Sequence, residues 1–292
     1  MVCFGKIIIG LLLFACTSAN SNRRLPFGIL YEIEVNNTRI IIERVPVPFA
    51  ASNKRLVLEG LLYYNPSLNS QCGIVITHGR YGPHPRRNPK EIFGCGKLNI
   101  YLAERGNVVL YLVRRGYGNS EGSSDSEFLA TPEDSGLAAA EDLSAGVDYI
   151  KTLRIVRKNG ILVMGVSQGG WAALSASNLD MPGVAATVNL AGGTNYSTMG
   201  NGFVTEKVQK DWIKACSTLG EKARLPTVWI YSENDRNHPP VYVKQMAKMF
   251  RESGGIVKLH ILPPYGGNGH YFAQDPSLFV DLIFKDIEDF KR

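Results

Sequence analysis

Hydrophobic positions along the chain follow two periods, and the switch between them outlines a fold. Ile29–Glu34, Arg39–Val45 and Leu56–Tyr64 read as β-type segments, with Asn36-Asn37 as a turn signal between the first two. These three are expected to pair antiparallel at a sheet edge. From Gly73 onward, short apolar runs alternate with helical stretches. Gly73–Thr77, Asn107–Val113, Gly160–Met164, Ala185–Leu190, Thr227–Tyr231 and Ile256–Leu262 have the length and apolar character of buried strands. Helices are expected near Glu91–Arg105, from Thr131 to about Leu153, near Pro240–Ser253 and near Pro276–Phe290. The second of these opens on Thr131-Pro132-Glu133-Asp134, which supplies an N-cap, a proline at the first helical position and an acid at N3. Its apolar residues Leu137, Leu143, Val147 and Ile150 fall near helical spacing. Strands alternating with helices predict an α/β protein with a doubly wound, mostly parallel sheet, antiparallel N-terminal edge strands and helices on both faces.

The 292 residues suffice for one large α/β domain, expected over residues 25–292, and no repeat or low-complexity linker divides them. Residues 1–19 read as a signal peptide: Lys6 provides a positive start, and Ile7–Ala15 is an apolar run too short to span a bilayer. Two cleavage readings compete. Thr17-Ser18-Ala19 resembles a small-residue site before Asn20; Leu13-Phe14-Ala15-Cys16 resembles a lipobox with Cys16 as the lipidated residue, although Phe14 departs from the usual small residue. A retained hydrophobic anchor is the third option. The expected location is exported: periplasmic, secreted or lipid-anchored at a bacterial membrane. Membrane contact is expected only through an anchor at Cys16. The net charge of +6 is mild and spread along the chain, without basic runs interleaved with aromatics, so nucleic acid is not an expected partner. Cys72, Cys95 and Cys216 are too few for a disulfide scaffold. Cys72 and Cys95 flank a strand at opposite ends of the sheet, which leaves Cys95–Cys216 as the preferred pair and three free thiols as the default.

The strand Gly160–Met164 runs into Gly165-Val166-Ser167-Gln168-Gly169-Gly170, and a helix-forming run leaves it. Strand, tight turn and helix are the context of a nucleophile elbow, which exposes the Ser167 hydroxyl and aims a helix N-terminus at it. The bare G-x-S-x-G pattern carries little weight, because Gly118-Asn119-Ser120-Glu121-Gly122 matches it too. Ser120 has no strand before it and no helix after it, and reads as a loop residue. A serine nucleophile needs a base, and the base an orienting acid. Asp235 lies just past the strand Thr227–Tyr231, and His270 on the loop after Ile256–Leu262, so both can reach the end of the sheet where Ser167 sits. Glu233 is the alternative acid. His238 is the rival base, disfavoured because it shares the Asp235 loop. His260 reads as a packing residue within the last strand.

Two backbone N–H donors are needed for an oxyanion. Gln168 follows the nucleophile at a helix N-terminus, where unpaired donors and the helix dipole favour negative charge. The second is expected from His78-Gly79-Arg80-Tyr81-Gly82, with Arg80 N–H chosen and Tyr81 as fallback. His78 is expected to brace that loop by hydrogen bonding. Tyr81, His84 and Arg114 are the candidate substrate contacts. Arg80, Arg86, Arg87, Lys90, Arg114 and Arg115 could form a positive rim favouring carboxylate-bearing substrates; the alternative is solvated charges and internal ion pairs.

His78-Gly79, Arg115-Gly116-Tyr117-Gly118, Gly165-Val166-Ser167-Gln168-Gly169-Gly170, Asn234-Asp235 and Gly269-His270, in that order, resemble an α/β-hydrolase of the dienelactone-hydrolase-like or prolyl-oligopeptidase-like branch. The resemblance covers roughly Leu56 to the C-terminus. Ser167 departs from the cysteine nucleophile of true dienelactone hydrolases, and the chain has no room for the propeller of prolyl oligopeptidases. The resemblance implies acyl transfer through Ser167, His270 and Asp235 on a small-molecule ester, with a serine peptidase acting on short peptides, or a non-catalytic exported binding protein, as alternatives. No cofactor is implied. No C-x-x-C or H-E-x-x-H suggests a metal site. The segment between Leu190 and Leu225 reads as an insertion, near 191–225, long enough for a small lid.

Overall fold

A computed structural model describes residues 27–51, 54–80, 96–124, 131–194 and 206–291. The expected signal peptide with Cys16, the loop residues Tyr81, His84, Arg86, Arg87, Lys90 and Cys95, and residues 195–205 of the expected lid lie outside the described residues. Strands β1 (Gly28–Val35), β2 (Thr38–Ala51), β3 (Lys54–Tyr64), β4 (Cys72–Thr77), β5 (Asn107–Val113), β6 (Ile161–Val166), β7 (Val184–Leu190), β8 (Thr227–Ser232) and β9 (Val257–Leu262) form one sheet in the order β1-β2-β3-β5-β4-β6-β7-β8-β9. The ladders β1–β2, β2–β3 and β3–β5 are antiparallel, and those from β5 through β4 and β6 to β9 are parallel. The α/β-hydrolase fold is therefore present, with its antiparallel strands at the N-terminal edge.

β2 runs past Val45 to Ala51, beyond the expected boundary. Pro46 and Pro48 obscure this extension, yet Val45, Val47 and Phe49 alternate inward while the prolines face out. Pairing with β1 ends at Gly28↔Arg44, so neither missing N–H removes a β1–β2 hydrogen bond.

The helices are α1 (Gly96–Glu104), α2 (Pro132–Thr152), α3 (Gln168–Ala176), α4 (Glu206–Lys222), α5 (Pro240–Glu252) and α6 (Val280–Phe290). Side chains of β4 and β5 alternate into two cores. Val75, Val108, Leu110 and Leu112 meet Leu143, Val147 and Ile150 of α2, whereas Ile74, Ile76, Val109 and Tyr111 meet Leu98 and Leu102 of α1. The start of α2 follows its sequence signal: Thr131 Oγ1 accepts from Asp134 N–H at 3.2 Å, with proline in the first turn. Within the described part of the expected insertion lies α4, a crossover helix that buries Val208, Trp212, Ala215, Cys216 and Leu219 against the core. Cys72 and Cys216 are free thiols, and Cys216 is fully buried on the inner face of α4. His260 of β9 is half-buried and hydrogen-bonded to Asp286 of α6 at 2.6 Å, a polar contact where a packing residue is expected. Among the described residues, no helix is long and apolar enough to cross a membrane.

Candidate active site

Ser167 joins β6 to α3 with φ 56° and ψ −123°, a strained conformation for a residue bearing a Cβ. Two glycines permit it. A Cβ on Gly165 would lie 1.9 Å from Gly169 O, and one on Gly169 would lie 2.4 Å from His78 O. Ser167 N–H donates to Leu190 O at 2.8 Å, which ties the turn to the end of β7. Its side chain makes no hydrogen bond that caps α3. It points instead at His270, whose Nε2 stands 3.0 Å from Ser167 Oγ.

His270 is held from two directions. Its backbone N–H donates to Asn268 Oδ1 at 3.1 Å, and its Nδ1 faces Asp235 Oδ2 at 3.2 Å. Asp235 follows β8 and is almost fully buried. Its Oδ1 accepts the N–H groups of Asn237 and His238 at 2.8 and 2.9 Å. One oxygen thus closes the local turn and the other orients the imidazole. Burial alone would raise the Asp235 pKa, but the His270 hydrogen bond, the two nearby imidazoles and the His238 N–H hold it below the ordinary carboxylate value. An ionised Asp235 only accepts, which assigns the proton to His270 Nδ1 and leaves the Nε2 lone pair to Ser167. Hydroxyl, imidazole and carboxylate form one chain of hydrogen bonds.

The loops carrying Asp235 and His270 are fastened together by two asparagines. Asn268 Oδ1 also accepts Arg236 N–H at 3.0 Å. Asn234 Oδ1 accepts Tyr265 N–H at 2.9 Å, and Asn234 O accepts Gly269 N–H at 3.1 Å. Gly269 fits only without a side chain, since a Cβ would lie 2.4 Å from Asn234 Oδ1. Asn268 has no assigned role in the sequence reading; its only signal is an asparagine two residues before a loop histidine.

The His78-Gly79 loop passes close to the serine, where a Cβ on Gly79 would stand 3.1 Å from Ser167 Cβ. Arg80 follows at once, half-buried, and Gln168 is the first residue of α3. His78 Nδ1 lies 2.7 Å from Gly79 O, and its Nε2 accepts Arg114 N–H at 3.1 Å. Nε2 is then the acceptor and Nδ1–H the donor, so the ring braces the loop.

The rival residues separate cleanly. Glu233 is exposed, and only its backbone joins the β8–β9 ladder. His238 is buried, and among the described residues its ring nitrogens make no side-chain hydrogen bond, the Ala191 backbone being the polar group beside it. Burial pushes its pKa down to about 3, helped by His270 and opposed by Asp235. Ser120 Oγ donates to Val113 O at 2.6 Å and accepts Glu59 N–H at 2.8 Å, so it links β3 to the end of β5. Arg114 departs from its expected place as a substrate contact. It is fully buried and turns inward, donating to Thr77 Oγ1 at 3.0 Å and to His78 O. Arg115 also leaves the rim, bound to Asp142 Oδ1 at 2.6 Å and to Glu141 at 2.8 Å. Both arginines fall to the internal-partner alternative, because polar acceptors lie beneath this end of the sheet. The described Asp, His and Ser of the sequence reading therefore converge, and its two strand-end arginines do not join them.

The family model for dienelactone hydrolases matches residues 59–281. The chain belongs to the dienelactone hydrolase family. Its fold is similar to that of solved structures at low sequence identity. An acetyl xylan esterase from Paenibacillus sp. R4 has a TM-score of 0.59 at 14% identity, covering 90% of this chain and 88% of that one. An esterase from Pyrococcus furiosus has a TM-score of 0.56 at 15% identity, covering 85% and 89%. An acylaminoacyl peptidase from Pyrococcus horikoshii has a TM-score of 0.57 at 15% identity, covering 87% of this chain but 47% of that longer one. No curated protein matches the sequence. This dienelactone hydrolase family member is a hydrolase with the α/β-hydrolase fold, and it carries serine at its elbow.

Proposed function

We propose that the chain is a serine hydrolase that cleaves carboxylic esters through an acyl-enzyme on Ser167. The observation that carries this reading is the hydrogen-bond chain from Ser167 Oγ to His270 Nε2 at 3.0 Å and from His270 Nδ1 to Asp235 Oδ2 at 3.2 Å. In the proposed first half-reaction, His270 Nε2 takes the hydroxyl proton as Ser167 Oγ attacks the ester carbonyl. Asp235 stabilises the imidazolium that forms and keeps the ring in its tautomer. The N–H groups of Gln168 and Arg80 hold the oxyanion. Collapse expels the alcohol, which leaves with the proton from His270. In the second half-reaction a water gives its proton to His270 and attacks the acyl carbon. The acid then departs and Ser167 recovers its proton.

Two of the fold neighbours reported are named as esterases and the third as an acylaminoacyl peptidase, so the choice of ester over amide is what the assay must decide. The test is a panel of p-nitrophenyl esters and short peptide amides. Esters of small acyl groups should turn over faster than any peptide, and Ser167→Ala and His270→Ala should each lower kcat by about 10³-fold or more. Turnover confined to peptides would replace the ester assignment with a peptidase.

A further inference from the structure

His238 has no task in the acyl transfer proposed above, yet it stands beside two of the three groups that do. Its side chain is 2% exposed, and among the described residues its ring nitrogens make no side-chain hydrogen bond; the Ala191 backbone is the polar group beside it. Trp212 and Tyr231 pack against the ring, and a Cβ on Gly193 would lie 2.2 Å from its Nε2. Its Nδ1 is 3.9 Å from Asp235 Oδ2, the oxygen that faces His270 Nδ1 at 3.2 Å. One ligand atom from each of Asp235, His238 and His270 lies within 4.8 Å of the others. A neutral buried imidazole beside a carboxylate is a metal ligand already stripped of water. Two nitrogens and an oxygen about 2.0–2.1 Å from a tetrahedral zinc ion stand roughly 3.3 Å from one another. The His270–Asp235 spacing of 3.2 Å already matches, the His238–Asp235 spacing of 3.9 Å is somewhat wider, and all three ligand atoms lie within 4.8 Å, so binding requires the two imidazoles to close on the ion.

We propose that Asp235, His238 and His270 form an inhibitory site for a zinc-class divalent cation on the side of the His270 ring facing Asp235. The site rests on the reading of His270 as the base. A metal on His270 Nδ1 uses the lone pair there, so the ring proton must reside on Nε2. Nε2–H cannot accept the Ser167 proton, and the first step stops. The Asp235 carboxylate offsets part of the ion's charge, and the nitrogen donors select against Mg²⁺ and Ca²⁺, which favour oxygen.

The experiment measures ester hydrolysis with and without Zn²⁺, each variant compared with its own zinc-free rate. Zinc should lower the wild-type rate by about tenfold or more, and EDTA should restore it, while Mg²⁺ and Ca²⁺ should leave it unchanged. His238→Gln and His238→Leu should each need about tenfold more zinc for the same inhibition. His260→Ala should respond as the wild type does. Zinc sensitivity in both His238 variants equal to that of the wild type would overturn the proposal. Zinc binding by Ser167→Ala, followed by equilibrium dialysis, needs no turnover: one ion per chain, lost in Ser167→Ala/His238→Gln, supports the site even if the ester reading fails. No bound zinc in Ser167→Ala overturns it even if the esterase is active.

Discussion

His78 holds its loop through both ring nitrogens, and Arg114 reaches the same place from β5 through its backbone N–H and its guanidinium. These contacts fix the peptide that leads into Arg80, the proposed second oxyanion donor. His78→Ala should therefore lower kcat by about 10–100-fold with little change in KM, because a misplaced donor weakens the transition state more than ground-state binding. Steady-state kinetics on one ester, with a thermal melt to confirm folding, would check this; a change in KM alone would contradict it. His238 predicts a stability effect with a definite sign. Its folded pKa is depressed to about 3 by burial, and Asp235, His270 and Tyr231 are the titratable groups around it. Between about pH 3 and its ordinary value near 6.5, the unfolded chain binds the proton and the folded one does not. Stability is therefore present above that window and falls as pH drops through it, by up to about 1.4 kcal/mol per pH unit from this residue. Urea unfolding at several pH values should show a shallower acid slope for His238→Leu than for the wild type. Equal slopes would show that His238 does not carry the effect.

The elbow works only if β6, the turn and α3 are built without side chains at Gly165 and Gly169. Gly169→Ala drives a methyl onto His78 O, so it should destabilise by about 3 kcal/mol or more and lose hydrolysis. Thr131→Ala makes the contrast. Loss of that cap should cost about 1 kcal/mol, lowering Tm by roughly 2–4 °C with hydrolysis unchanged. Calorimetry and the ester assay on the pair separate strain at the site from stability elsewhere. Elements with strong periods were legible beforehand: the apolar runs that became β4–β9, and α2 with its Thr131 cap. α4 was not, although Val208, Trp212, Ala215, Cys216 and Leu219 trace a helical stripe. The expectation of an inserted lid hid it. The prolines hid the end of β2 in the same way, because proline is tolerated where one side of a strand is unpaired, and Pro46 and Pro48 stay in register with β3 past the end of β1.

At the scale of the whole molecule, β6 and β8 run parallel and deliver Ser167 and Asp235 to one end of the sheet, while β9 leads into the loop that brings His270. The order Ser167, Asp235, His270 was legible because each follows an apolar strand. The fastening of the Asp235 and His270 loops was not, since Asn234 and Asn268 meet partners about 30 residues away that only the closed fold brings near. The inward turn of Arg114 was hidden for the same reason: a charge at a strand end looks exposed until its acceptors are placed. The central claim is that Ser167, and not the serine of the duplicate motif, is the nucleophile. Covalent labelling with a fluorophosphonate, located by peptide mass spectrometry, tests it most directly. The label should sit on Ser167, disappear in Ser167→Ala and persist in Ser120→Ala. A label retained in Ser167→Ala would contradict the account.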